Sequence, residues 1–236
     1  QQFWRDTGVT CDERLLKVFR QLSREEFVSP IHRENAYMDY PLPIGSNQTI
    51  SQPTTVMTML RLLEVAPQHR VLEVGAGVGL VSLTCARICG AENVLSYEPN
   101  PNMRPIIEKN FALNGMTPNL RSKALTTSPG TVDFYFAENI YSSSLYDRGL
   151  GEKTSVPCDA ISDVFAEFRP NVIVMDIEGA EVDLLPSCDL SAIDKIIVEM
   201  HAHVVGADKV QHLVDYLEGR GFSLKKTQSI SYQFAR

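Results

Sequence analysis

Asp176 with Glu178, and Glu199 with His201, are two acidic or acid–imidazole pairs that each sit at the end of a strongly apolar run, residues 171–177 and 193–200. Carboxylates and imidazoles at such positions can hold or move a proton. Asp176 is the expected border of a ligand or acceptor site, His201 the candidate general base, and Glu178 and Glu181 the shapers of the same rim. Glu181 could equally cap a short helix, and His201 could be a packed imidazole. Asp176, Glu199, His201 and His203 are donor types that suit a divalent ion. Two strand ends set no coordination geometry, however, and no metal is expected. A second constellation is VLEVGAGVGL, which places Glu73 inside an apolar run and follows it with Gly75, Gly77 and Gly79. Glycines after a buried strand let the backbone turn tightly and approach a ligand closely. Glu98, at the end of the next apolar run, is placed to accept hydrogen bonds from two ribose hydroxyls. A third group, Tyr40, Thr49 and Ser51, lies in a proline-rich stretch ahead of these. Taken alone, Ser51 before a helix reads first as a cap.

These residues need elements to hold them. Apolar spacing predicts a helix over 12–22, started by Asp12, and Ser23 with Glu26 has the pattern of a capping box. Residues 29–53 read as an ordered loop, because Pro41, Pro43 and Gly45 favour turns. Pro53 can open the following helix, which ends before Pro67. From Arg70, strand and helix alternate within a few tens of residues: strands at 71–74 and 93–98, helices at 80–89 and 102–113. Such alternation predicts a parallel sheet with crossovers on its faces. A third strand is expected over 121–125, an exposed strand over 131–136, a serine- and glycine-rich loop over 141–151 and a short strand closing at Val156. Helices over 159–168 and 208–218, core strands over 171–177 and 193–200, and a final antiparallel pair at 222–224 and 231–234 complete the reading. The expected organisation is an N-terminal helical extension, 1–66, followed by one α/β domain, 67–236.

The 236 residues suffice for one substantial core. A formal net charge of -7 argues against an extended phosphate backbone as partner. No apolar run reaches the roughly 20 residues of a membrane span. Cys11, Cys85, Cys89, Cys158 and Cys188 form no CxxC pair; Cys85 and Cys89, one helical turn apart in an apolar stretch, are expected to be buried thiols, and a cytoplasmic setting is expected.

The glycine run, with Glu73 and Glu98, resembles the seven-stranded class I methyltransferases, which implies a Rossmann-like fold and S-adenosyl-L-methionine as cofactor. By that resemblance Glu98 holds the adenosine ribose and the glycine loop lies beneath the methionine part, with Glu73 near its amino end. Two further resemblances meet in the chain. Residues 36–65, AYMDYPLPIGSNQTISQPTTVMTMLRLLEV, with Arg24 and Phe27 before them, are similar to the protein-L-isoaspartate O-methyltransferases, and Ser51 matches that family's active-site hydroxyl. VIVMDIEGAEVDLL, YEPNP, ALTTSPGTVDFY, the serines Ser142 to Ser144, and IIVEMH resemble the FkbM methyltransferases.

The order of these pieces makes an FkbM-like relationship the leading expectation. It implies an O-methyltransferase acting on a hydroxyl or carboxylate of a small molecule, sugar or peptide. The alternatives are an isoaspartyl protein O-methyltransferase and a non-catalytic cofactor-binding module, and a nicotinamide-binding domain is the bland reading of the glycines. The N-terminal segment is expected to close over the cofactor.

Overall fold

A computed structural model of the chain describes residues 2–21, 23–45, 48–137, 145, 151–228 and 230–236. Helices α1 (Gln2–Asp6) and α2 (Glu13–Gln21) come first, followed by two 3₁₀ turns and a small hairpin of β1 (Leu42–Gly45) and β2 (Gln48–Ile50). Helix α3 (Pro53–Leu63) then leads to β3 (Val71–Val74), α4 (Leu80–Cys89), β4 (Val94–Tyr97), α5 (Arg104–Leu113) and β5 (Asn119–Arg121). Strands β6 (Ala124–Thr126), β7 (Gly130–Ala137) and β8 (Gly151–Ala160) form a separate three-stranded sheet. The chain finishes with α6 (Ile161–Phe168), β9 (Val172–Met175), α7 (Glu181–Leu184), β10 (Lys195–Glu199), α8 (Ala202–Val205), α9 (Ala207–Gly219), β11 (Ser223–Gln228) and β12 (Ser231–Ala235).

The main sheet has seven strands in the order β11-β12-β10-β9-β3-β4-β5. Strands β10, β9, β3, β4 and β5 are parallel, because helices on the sheet faces connect most of them. Strand β12 runs antiparallel to both β10 and β11, since only a tight turn separates it from β11. This is the Rossmann-like class I methyltransferase order, with N-terminal helices added. The chain leaves β3 toward β4 on one side and later returns to β9 on the other. A crevice therefore opens at the carboxyl ends of β3, β4 and β9, where such sheets bind ligands.

Period-two alternation sorts the strands between two cores. Val71, Val172, Val174 and Ile197 face a core shared with Leu83, Phe111 and Met57, which also takes in Trp4, Leu16 and Phe19 from the N-terminal helices. Leu72, Ile173, Met175 and Val198 face the opposite core with Val164, Leu185 and Leu217. The N-terminal segment thus packs into the main core, and Trp4 Nε1 donates to Thr54 Oγ1 at 2.9 Å. Cys85, Cys89, Cys158 and Cys188 are buried free thiols. No helix among the described residues is long and apolar enough to cross a membrane.

Local departures from the expected elements have physical causes. Asp12 does start α2, accepting from the Arg14 backbone N–H at 2.8 Å. Ser23 opens only a 3₁₀ turn and its side chain makes no capping bond, so no capping box forms there. The stretch taken as loop, 29–53, contains a 3₁₀ turn and the β1–β2 hairpin. The single strand expected over 121–125 is two strands, because the chain changes sheets between Arg121 and Ala124: β5 pairs with β4 and β6 with β8. Strand β8 is ten residues long, and its residues 151–158 pair with the whole of β7. Ser142 to Ser144 lie outside the described residues.

Candidate active site at the ends of the parallel strands

The loop after β3 explains the glycines one at a time. Gly75 has φ +86°, and a Cβ there would sit 1.9 Å from the Asp176 carbonyl oxygen, so the neighbouring strand leaves no room for a side chain. Gly77 has φ +55° and open space where its Cβ would be. It lines a cavity of about 240 Å³, where its bare backbone offers a cradle. Gly79 (φ +78°) instead abuts Ile107, 3.0 Å from an added Cβ, and serves the packing of α4 rather than the cavity wall.

Glu98 ends up against this loop. Its Oε2 accepts from the Gly77 N–H at 2.8 Å and its Oε1 from the Asn100 N–H at 2.9 Å. Burial pushes its carboxyl up to about 7, and those two N–H bonds oppose the shift. Glu73, 4% exposed, points from β3 toward the core face covered by α4. Burial and then the charge of Glu98 raise its carboxyl well above the usual range, against a bond from the Ser82 backbone. Its Oε2 has no hydrogen-bond partner among the described residues, although Glu73 lines the cavity. A buried oxygen left without a donor is costly, and here it marks where a ligand's donor fits.

Strands β9 and β10 are parallel neighbours, with Met175 opposite Val198, so Asp176 and Glu199 emerge side by side. Asp176, Glu178 and Glu199 line the cavity. The His201 side chain is 2% exposed, and its Nδ1 lies 3.1 Å from Oε1 of the fully buried Glu181. The same oxygen accepts from the His201 backbone N–H at 3.0 Å, and Glu181 Oε2 accepts from Gly179 N–H at 2.8 Å. Glu181 therefore holds His201 and the turn before α7, and no substrate can touch it without displacing His201. Nε2 of His201 faces Asp176 Oδ1 at 3.6 Å and Glu178 Oε2 at 3.7 Å. Burial alone would lower this imidazole, but the Glu181 bond and the charges of Asp176 and Glu178 override it and push it to about 9. Asp176 keeps 44% of its side-chain surface accessible where it lines the cavity. Enclosure and the charge of Glu199 raise its carboxyl well above the usual range, with His201 opposing.

The opposite wall comes from the N-terminal segment. Ile50 and Ser51 line the same cavity as Gly75, Gly77 and Glu98. Ser51 is not the cap of α3; Gln52 holds that position, without a side-chain cap bond. The Ser51 carbonyl instead accepts from Nη2 of the buried Arg24, whose Nε donates to the Ala36 carbonyl. Thr49 pairs with Pro43 in the hairpin, and its side chain lies outside the described atoms. Tyr40 is 44% exposed and does not line the cavity, so it is not brought to the site.

Sequence reasoning missed several wall residues. Lys123, which donates to Asp159 Oδ1 at 2.7 Å, lies in the short switch between sheets. Tyr97 and Phe134 also line the cavity. Nothing in their local pattern separates them from ordinary strand residues.

Residues 2–130 match the family of protein-L-isoaspartate(D-aspartate) O-methyltransferases, and residues 73–224 match the methyltransferase FkbM domain. A protein-L-isoaspartate O-methyltransferase of Syntrophobacter fumaroxidans is 42% identical over 92 residues, covering 39% of this chain and 42% of that protein. The Paracoccus denitrificans enzyme of that name is 46% identical over 88 residues, covering 36% of this chain and 40% of that protein. The chain thus spans about two fifths of the length of these curated relatives. A solved protein-L-isoaspartate O-methyltransferase shares the fold with a TM-score of 0.53 at 19% identity, over 84% of this chain and 53% of that one. These relatives overturn the expectation that the FkbM relationship leads, and the matched stretch of the isoaspartyl family, residues 2–130, contains both Ser51 and the glycine loop. With its sheet order, cofactor loop and matched residues together, the chain belongs to the protein-L-isoaspartate(D-aspartate) O-methyltransferase family, within the S-adenosylmethionine-dependent class I methyltransferases.

Proposed function

We propose that the protein transfers a methyl group from S-adenosylmethionine to a carboxylate oxygen of an isoaspartyl residue in a peptide or protein. The observation that carries this is the shared cavity: Ser51, within the stretch similar to the isoaspartyl enzymes, lines it together with Gly75, Gly77 and Glu98. The cofactor's fit rests on the open cradle at Gly77 and the unpartnered buried oxygen of Glu73. When bound, S-adenosylmethionine would supply a sulfonium methyl, the acceptor oxygen forming the new O–C bond as the S–C bond breaks and its electrons return to sulfur in the departing S-adenosylhomocysteine.

The chain's own residues do the rest. Glu98 binds the ribose hydroxyls through lone pairs left beside its two backbone donors. The Gly75–Gly77 backbone and Glu73 hold the methionyl end, with Asp176 at its border. Ser51 hydrogen-bonds the acceptor carboxylate and fixes its approach, and Glu178 shapes the rim. A carboxylate is ionised near neutral pH, so the reaction asks for alignment rather than proton removal.

The test is methyl incorporation into an isoaspartyl peptide and its aspartyl twin. Selective labelling of the isoaspartyl form is expected; labelling of neither, or of both equally, overturns the reading. A hydroxyl acceptor on a small molecule, sugar or peptide is the second reading, favoured by the FkbM match over 73–224 and by the acidic rim around His201. There Asp176 would take the hydroxyl proton, since His201, raised to about 9, already holds its own near neutral pH, and labelling of a polyol or glycoside but not the peptide would select it.

A further inference from the structure

We propose that Asp176, Glu199 and His201 form a binding site for a divalent first-row transition cation on the wall of the methyl-transfer cavity. One donor atom from each of the three lies within 4.8 Å of the others. They arrive there by topology: β9 and β10 run parallel in register, so the residues that follow their last paired positions meet at one edge of the crevice.

A second observation points to a ligand independently of that crowding. His201 is 2% exposed, yet its Nε2 has no hydrogen-bond partner within 3.5 Å among the described residues. It is aimed at Asp176 Oδ1 and Glu178 Oε2, at 3.6 and 3.7 Å. Those gaps are too wide for hydrogen bonds. They are close to what a shared cation demands, since two donors each about 2.1 Å from one metal lie about 3.4 Å apart in tetrahedral geometry and about 4.2 Å apart when opposite. All three donors lie within 4.8 Å of one another, so the widest pair must close by up to about 1.4 Å to reach tetrahedral spacing.

The imidazole is already prepared for this. Glu181, fully buried, takes the Nδ1 side and the backbone N–H with one oxygen, fixing the ring plane and turning Nε2 toward Asp176 and Glu178, where a cation would replace its proton. A carboxylate behind the far nitrogen is the usual support of an imidazole that binds metal. Glu199 is oriented in turn, its Oε1 accepting from Ser231 Oγ at 3.2 Å. One imidazole with two carboxylates suits manganese- or zinc-like ions. Because Asp176 and Glu199 face the cavity, a remaining coordination position of the cation is open to an oxygen of the acceptor. His203, whose ring stacks edge-on to His201, is not among the donors.

The site does not depend on the acceptor's identity, and its test needs no turnover. Metal-stripped full-length protein is titrated with Mn²⁺, and the free ion is counted by electron paramagnetic resonance. One saturable site per chain is expected, weakened at least about tenfold by Glu199→Gln and by His201→Gln. Circular dichroism checks that each variant is folded. Glu199→Gln keeps the shape and the Ser231 contact, and it decides the question if the buried His201 variant does not fold. Absence of saturable binding up to about 1 mM Mn²⁺, a weak limit for a built site, overturns the proposal. So does a site that Glu199→Gln leaves unchanged.

Discussion

Glu98 carries two opposite pH dependences that one substitution separates. Its carboxyl is raised to about 7 from a usual value of 4.5, so the folded ligand-free chain holds a proton that the unfolded chain releases earlier. Stability from this group is fully present below pH 4.5 and is lost as pH rises through 7, at a cost of roughly 3 kcal/mol. Glu73 is the titratable neighbour, its own carboxyl raised by burial and then by the charge of Glu98. Relative to Glu98→Gln, the wild-type melting temperature should therefore fall between pH 5 and pH 8 in thermal scans. On the proposed role of Glu98 as acceptor of the ribose hydroxyls, affinity for S-adenosylhomocysteine should rise over the same interval as the carboxylate ionises, and calorimetry on Glu98→Gln should show weaker, pH-flat binding.

Ser51 and Gly75 make a contrasting pair at the same scale. Ser51→Ala removes a hydroxyl from the cavity wall and no packing. Turnover should drop roughly tenfold to a hundredfold while cofactor affinity stays within about twofold, read by steady-state kinetics beside calorimetry. Gly75→Ala puts a methyl on the Asp176 carbonyl at a positive φ. A loss of roughly 3 kcal/mol or more in denaturant unfolding is expected.

Among the elements, the hairpin and the turn that leads into α3 depend on Arg24. This buried guanidinium reaches the carbonyls of Ala36 and Ser51, binding two separate parts of the N-terminal segment to one point. Burial lowers its pKa to about 10, which leaves it charged at neutral pH. Arg24→Met keeps the bulk and orphans both carbonyls, at about 1–3 kcal/mol each. A lower melting temperature is expected, together with a larger rise in KM for the acceptor than loss of cofactor affinity, because Ser51 moves while the glycine loop does not. Equal losses in both would show that Arg24 acts on the core alone.

For the whole molecule, the N-terminal segment shows no core of its own among the described residues: Leu16, Phe19, Leu42 and Ile50 share one with α3, α4 and the near face of the sheet. Removing residues 1–53 should weaken cofactor retention and abolish transfer while part of the sheet still forms. Calorimetric binding and methyl incorporation at the full-length level in the truncated chain would defeat the idea that this segment closes over the cofactor. The sequence by itself determined the alternation from β3 through α5, the glycine turn and the place of Glu98, because these follow from local period, φ requirements and apolar runs that tertiary contacts only reinforce. It also marked Ser51, Asp176 and His201 as residues able to do chemistry. Only the tertiary structure decided that Ser51 faces the cavity instead of capping a helix, that Glu181 is sealed behind His201, and that Tyr40 stands apart. It alone split the strand at 121–125 between two sheets and brought Lys123 to the wall. Those outcomes depend on which distant segments meet across the crevice and compete for the same polar groups, and no window of neighbouring residues carries that information.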